Sequence, residues 1–256
     1  MSSIKQHIEW LSLVPASGPF LSLETLNKVF PQGLPTHDSE LMRSVRLAWE
    51  EWEEEGECPH PDPAIHTAWV RFVLSAILNF PAAAIAEGQG IPSGIKAEKS
   101  EYGVVVRPDY LIIPPIAASD ELSLDWDEEE TASVPEPESS VPLLLIQVYR
   151  RGQGLEKPVT RADIWNASPA ARMQELLAQT GFPLGLITNG EDWMIVSRVT
   201  ETVGFASFSA PIWQEEPLTL RAFRAILDAD RFFATHARDD ALLQGCLLYT
   251  SDAADE

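Results

Sequence analysis

The chain reads as an α/β fold, a mixed sheet flanked by helices behind a helical N-terminal lead-in. Three stretches carry that reading. Val141 to Tyr149 places Leu143, Leu144, Leu145, Ile146 and Val148 in one apolar run, the mark of a strand covered on both faces. Ser168-Pro169 supplies an N-cap and a first helical proline, Met173, Leu176 and Leu177 follow as an inward stripe, and Gly181 ends the helix. Asn189-Gly190 separates the short apolar run Pro183 to Ile187 from Trp193 to Val199, which predicts a hairpin whose two turn positions take positive φ.

The remaining elements follow in chain order. Residues 1–60 predict small helices: Ile4, Ile8 and Leu11 repeat at helical spacing, Ser22 precedes the stripe Leu23, Leu26, Val29 and Phe30, and Asp38 stands where it can cap a helix carrying Leu41, Val45, Leu47, Ala48 and Trp52. Pro59, Pro61 and Pro63 break the chain before a helix from Ala64 to Phe80, which Pro81 stops. The period then changes. Tyr102 to Val106 and Tyr110 to Ile113 predict two strands, Val203 to Phe208 a further one, and Leu218 to Phe233 a last helix. From Ala64 the order is helix, three strands, helix, two strands, an α/β layer with a mixed sheet.

Charge bounds the function. The 256 residues carry a formal charge of −21, which argues against a simple nucleic-acid binder, because neutralising phosphates needs Lys and Arg. Glu50, Glu51, Glu53, Glu54, Glu55 and Glu57 form one cluster and read as a solvated helix face. Between Asp120 and Glu138 lie nine acids and no base, so residues 117–140 read as an acidic disordered loop. Residues 246–256, Cys-Leu-Leu-Tyr-Thr-Ser-Asp-Ala-Ala-Asp-Glu, resemble a translated sequencing-adapter sequence and are set aside as a non-native tail. Without Asp252, Asp255 and Glu256 the charge moves from −21 to −18, and of the two cysteines only Cys58 remains. A single thiol with no signal peptide before it points to the cytoplasm, and no stretch is apolar enough to span a membrane. The expected organisation is a lead-in over 1–60, an α/β domain over 61–235, and the start of a linker over 236–245, the whole being the front of a larger protein.

Pro108-Asp109 and Gln147-Val148-Tyr149 are the candidate chemistry. Residues two apart on a strand face one way, so Gln147 and Tyr149 share a face at the end of the long apolar strand. The αβββαβ order, with Pro-Asp at one strand and this triplet on the next, resembles the PD-(D/E)xK nuclease core. That resemblance implies Asp109, Gln147 and Tyr149 as the catalytic positions and Asp109 and Gln147 as Mg²⁺ ligands. The ion would polarise a phosphodiester and lower the pKa of an attacking water. Two positions depart from the pattern: Gln147 keeps an oxygen but loses the charge of the acid, and Tyr149 replaces the lysine.

The segment Leu176-Leu177, Thr180-Gly181, Pro183, Gly185-Leu186, Thr188-Asn189-Gly190 and Trp193, continued by Glu215-Glu216-Pro217 and Arg231-Phe232-Phe233, resembles the N-terminal region of type IIG and DISARM-like restriction–modification DNA methyltransferases. The likeness runs over about Arg107 to Phe233. It implies a parent protein that transfers methyl groups from S-adenosylmethionine to DNA, with the cofactor site and the base-flipping segment in the missing part. The implied partners are DNA, through the parent protein, and other phage-defence proteins. The residue chemistry favours a degenerate nuclease-like module that positions DNA or contacts a partner. The alternatives are an active Mg²⁺-dependent endonuclease domain and a cytoplasmic α/β scaffold unrelated to DNA. Cys58, His60 and His66 lack a fourth ligand and zinc spacing, and Gly88-Gln89-Gly90 lacks the Lys-Ser/Thr of a phosphate cradle. Most tryptophans fall on apolar stripes and read as core, whereas Trp165 sits in a polar loop as a candidate contact residue.

Overall fold

A computed structural model describes residues 3–17, 22–36, 39–113, 144–159, 165–199 and 202–233. Asp38, the acidic stretch 117–140, Val141 to Leu143, residues 236–245 and the tail 246–256 lie outside the described residues. The helices are α1 (Ser3–Leu13), α2 (Leu23–Val29), α3 (Ser39–Gly56), α4 (Pro63–Phe72), α5 (Pro169–Thr180), α6 (Pro217–Leu227) and α7 (Ala229–Phe233). The strands are β1 (Ala16–Ser17), β2 (Ile85–Glu87), β3 (Ala97–Lys99), β4 (Val104–Val106), β5 (Tyr110–Ile112), β6 (Leu144–Val148), β7 (Leu184–Thr188), β8 (Asp192–Val199) and β9 (Thr202–Ser209).

Seven strands form one mixed sheet in the order β1-β9-β8-β7-β6-β5-β2, and β3-β4 form a separate ribbon. Every neighbouring pair in the large sheet is antiparallel except β6–β7. Parallel neighbours cannot be joined by a tight turn, and α5 lies in the crossover between them. Its ends follow the sequence signals: Ser168 Oγ accepts from the Ala171 N–H, Pro169 opens the helix, and Gly181 closes it at φ 75°.

Side-chain alternation divides the sheet into two buried faces. Ile112, Leu144, Ile146, Leu184, Leu186, Ile195 and Phe208 meet α1 to α4 and α6 on one side. Leu111, Leu145, Ile187, Met194 and Val196 meet α5 and the β3–β4 ribbon on the other. Helices cover both faces of the central strands, which is why β6 is apolar at successive positions rather than alternating. The helical lead-in shares this core: Trp10, Leu26, Phe30, Val45, Trp49 and Trp52 pack with the sheet residues, and β1 adds an edge strand beside β9.

Several details differ from the sequence reading. On α1 the buried positions are His7 and Trp10, while Ile4 and Ile8 are 46% and 52% exposed. The indole N–H of Trp10 donates to His7 Nδ1 at 3.3 Å, and His7 Nε2 lies 3.3 Å from the Phe30 carbonyl, so a polar pair turns that face inward. Among the described residues the strand before Pro108-Asp109 (β4) pairs only with β3. The outer strand beside β5 is instead β2, a three-residue run with no period of its own. The long helix after Ala64 runs on from α4 into a π-helical turn over Val73–Ile77, and Leu78 ends it before Asn79 at φ 60°. The last helix breaks at Asp228 into α6 and α7. Among the described residues no helix is long and apolar enough to cross a membrane.

Gly185 sets the distance between α5 and the sheet. A Cβ there would lie 2.3 Å from Met173 Sδ and 2.7 Å from its Cγ. Gly185→Ala is expected to destabilise by about 1–2 kcal/mol, an overpacking cost that Met173→Ala relieves in the double variant. Urea midpoints of the four proteins test this, and additive effects would disprove the contact.

Candidate functional site

The carboxyl ends of the parallel strands β6 and β7 meet at one edge of the sheet, the position at which open α/β sheets commonly place their sites. Asp109 lies there, just before β5. Its backbone N–H donates to the Ile146 carbonyl at 2.8 Å, and its Oδ2 accepts from the Val148 N–H at 2.7 Å. The register pairs Tyr110 with Ile146 and Leu111 with Leu145, so Asp109 stands just beyond the last paired residue of β5, beside the end of β6. The surrounding protein pushes the Asp109 pKa above its ordinary value, the Val148 N–H drawing it partly back, although the residue keeps an exposed surface.

Gln147 and Tyr149 do share a face. The Tyr149 hydroxyl donates to Gln147 Oε1 at 3.3 Å, and Gln147 Nε2 donates to the Arg107 carbonyl at 3.0 Å. Gln147 is buried and both ends of its amide are engaged. A divalent magnesium ion takes a near-octahedral set of oxygens, normally with carboxylate charge. Here one carboxylate stands beside a neutral amide that is already bonded, so the residues present do not make such a ligand set. Among the described residues no group of three or more His, Cys, Asp or Glu is arranged to hold a metal ion.

The Thr188-Asn189-Gly190 segment is a buried anchor at the same edge. Gly190 adopts φ 92°, while Asn79 is the single non-glycine residue with positive φ among the described residues, so the turn is not the two-residue type expected from Asn-Gly. Asn189 instead organises it through its side chain. Oδ1 accepts from the N–H groups of Glu191 (2.9 Å) and Asp192 (2.7 Å), and Nδ2 donates to the Gln153 carbonyl at 2.9 Å. Thr188 Oγ1 accepts from the Gly190 N–H at 2.9 Å. The Gly190 carbonyl accepts from the Trp69 indole at 2.8 Å. Two segments distant in sequence therefore converge on the turn: α4 and the loop after β6.

Beside it opens a cleft of about 770 Å³, walled by Trp52, Ile65, His66, Arg150, Arg151 and Glu191 among others. Arg151 anchors its floor. The guanidinium donates to the carbonyls of Trp52 (3.2 Å) and Glu53 (3.0 Å), stacks 4.2 Å over the Trp52 ring, and pairs with Glu191 at 3.4 Å. It thereby adds a second donor to carbonyls in the last turns of α3, where the helix dipole also favours a cation. Gly56 leaves room for it, since a Cβ there would fall 1.3 Å from Arg151 Nη1.

His66 bridges three elements. Trp52 Nε1 donates to His66 Nδ1 at 3.0 Å, and His66 Nε2 lies 3.0 Å from the Tyr149 carbonyl. An indole nitrogen only donates, so Nδ1 must be the acceptor and Nε2 must carry the proton. Both nitrogens are thus committed within the protein. Trp165, the candidate contact residue, is half-buried between Lys99 Nζ at 5.7 Å and the Arg172 guanidinium at 5.1 Å.

The sequence marks His66 only as a member of an incomplete zinc set with Cys58 and His60, and it does not mark Arg151 at all. The proline break before α4 was the one visible hint that α3 and α4 fold against each other. No family model, curated protein or solved structure shows significant similarity to the chain.

Proposed function

We propose that this chain is a nuclease-like module from the N-terminal region of a restriction–modification DNA methyltransferase, and that it positions DNA without cutting it. The observation that carries the non-catalytic part is the closed hydrogen-bond chain from Tyr149 through Gln147 to the Arg107 carbonyl, at the positions where the PD-(D/E)xK pattern requires an acid and a lysine. The nuclease-like part is supported by the order α4, β2, β5, β6, α5, β7, with Asp109 opening β5 and Gln147 near the end of β6. In that order the β3–β4 ribbon is an insertion. The Thr188-Asn189-Gly190 segment supports the methyltransferase link only through its resemblance.

Supercoiled plasmid incubated with the purified chain and millimolar Mg²⁺ or Mn²⁺ is expected to stay intact, and neither ion is expected to raise the melting temperature. Retention of DNA at low salt should fall steeply as salt rises. Nicking that Asp109→Ala abolishes would establish the second reading, an active metal-dependent endonuclease. One feature favours that reading: Asp109 Oδ1 has no hydrogen bond among the described residues. No DNA retention at any salt concentration would remove the DNA-positioning role.

A further inference from the structure

We propose that His66 is a proton-operated latch that holds the C-terminal half of α3 against the carboxyl end of β6, and that protonating it opens the cleft beside Trp52. This inference rests on the cleft geometry and not on the nuclease-like reading.

The latch is a linear relay: Trp52 on α3 donates to His66 on α4, which donates to the Tyr149 carbonyl after β6. It works only with a neutral imidazole. A second proton must go to Nδ1, and there it meets the Trp52 N–H head on, two donors with nitrogens 3.0 Å apart. Trp52 has no acceptor to offer in exchange. Flipping the ring does not help, because an imidazolium donates from both nitrogens and one of them always faces the indole. The added charge also arrives next to the Arg151 guanidinium, which already lies on the Trp52 ring.

The surrounding charges do not rescue it. On the α3 side Glu55 Oε1 accepts from the Asp62 N–H at 2.7 Å, and at the start of α4 Asp62 Oδ1 caps the Ala64 N–H at 2.8 Å. From the β7–β8 turn Glu191 faces Arg151. Arg150, next to Arg151 on the cleft wall, adds a second positive charge. Burial lowers the His66 pKa below its ordinary 6.5, the Tyr149 carbonyl holds it partly up, and Arg151 pushes it further down.

The sign follows. A histidine whose pKa is depressed in the closed form leaves that form fully stable above about 6.5. The stability is lost as pH falls from there through the lowered value, because the open form takes up the proton first. Opening is local. Trp52 stands in the last turns of α3, at the end of the core cluster it shares with Val45 and Trp49, where Arg151 binds the Trp52 and Glu53 carbonyls.

Hydrogen exchange read by mass spectrometry on the whole chain tests the latch. Protection factors for amides 49–56, corrected for intrinsic exchange, should fall between pH 7.5 and 5.5, by up to about tenfold, while those of β7 and β8 hold. His66→Gln should remove the pH dependence, because a glutamine amide does not titrate in this range. Should that variant fold poorly, Trp52→Phe gives an independent reading. Without the opposing N–H, the His66 pKa measured by NMR should rise toward 6.5, and the fall in protection should shrink. Protection at 49–56 that is flat with pH, or that falls equally in His66→Gln, would overturn the proposal. So would a His66 pKa at or above 6.5 in the unmodified chain.

Discussion

Trp69→Ala is expected to cost about 5 kcal/mol, the upper end for removing a large aromatic from a core. Trp69 is buried and touches aromatic neighbours on three elements: Trp49 at 5.6 Å, Trp52 at 6.4 Å, Phe72 at 5.9 Å and Trp213 at 6.3 Å between ring centroids. Truncation empties the space where α3, α4 and the segment before α6 meet. It also strips the buried Gly190 carbonyl of its donor, which adds about 1 kcal/mol. A domain of this size is stable by only about 5–15 kcal/mol, so the variant should be near the limit of folding. Urea denaturation followed by far-UV circular dichroism gives the loss. Trp69→Phe separates the two contributions: it keeps most of the packing, loses the N–H, and should cost about 1–2 kcal/mol. A loss under about 1 kcal/mol for the alanine variant would show that the aromatic cluster does not organise this end of the core.

Gly190→Ala should cost about 3 kcal/mol for a single methyl group. Two effects add. At φ 92° a side chain is strained by about 1–2 kcal/mol. Its Cβ would also sit 2.5 Å from Trp52 Cζ2 and 2.9 Å from His66 Cε1, atoms of rigid rings that cannot bend aside. Pushing them away costs a further 1–3 kcal/mol, roughly, and strains the Trp52–His66 hydrogen bond. Gly181→Ala is the internal control. That residue has φ 75° with nothing within 4 Å of its would-be Cβ, so it pays for backbone strain alone. Thermal melts should therefore rank Gly190→Ala well below Gly181→Ala. Equal melting temperatures would mean that close packing under Trp52 contributes nothing.

The same glycine shows how far a sequence can be read. Asn-Gly between two apolar runs marks a hairpin, and the hairpin is there, joining β7 to β8. Its backbone type differs because the pairing closes at Thr188 and Trp193, which leaves four residues in the connection rather than two. The turn is buried, and Asn189 spends its side chain on Glu191, Asp192 and Gln153 rather than taking positive φ itself. The strand before Asp109 shows a similar limit. Tyr102 to Val106 has strand composition, yet which neighbour it pairs with depends on partners far along the chain. The main sheet took Ile85–Glu87 instead, too short to have a period.

Of the candidate site, the shared face of Gln147 and Tyr149 was legible because strand alternation is a local rule. The bond of Asp109 to the Val148 N–H was not, since it depends on the pairing of β5 with β6, which are far apart along the chain. The roles of His66 and Arg151 left no trace in local pattern. They come from hydrogen bonds across sequence separations of 83 and 99 residues.

What the sequence determined by itself was therefore everything set by neighbours along the chain: the apolar central strand, the capped helix α5, the hairpin, and the neutral side chains at Gln147 and Tyr149. Each follows from side-chain period, capping chemistry or residue identity, which act over a few residues. Tertiary structure alone decided the rest. It chose the order of strands, turned His7 and Trp10 inward in place of Ile4 and Ile8, packed the lead-in helices into the sheet's core, and brought Trp52, His66 and Tyr149 into one relay. Those choices are made by burial and hydrogen bonding between distant segments, where many partners are locally equivalent and only the assembled core distinguishes them.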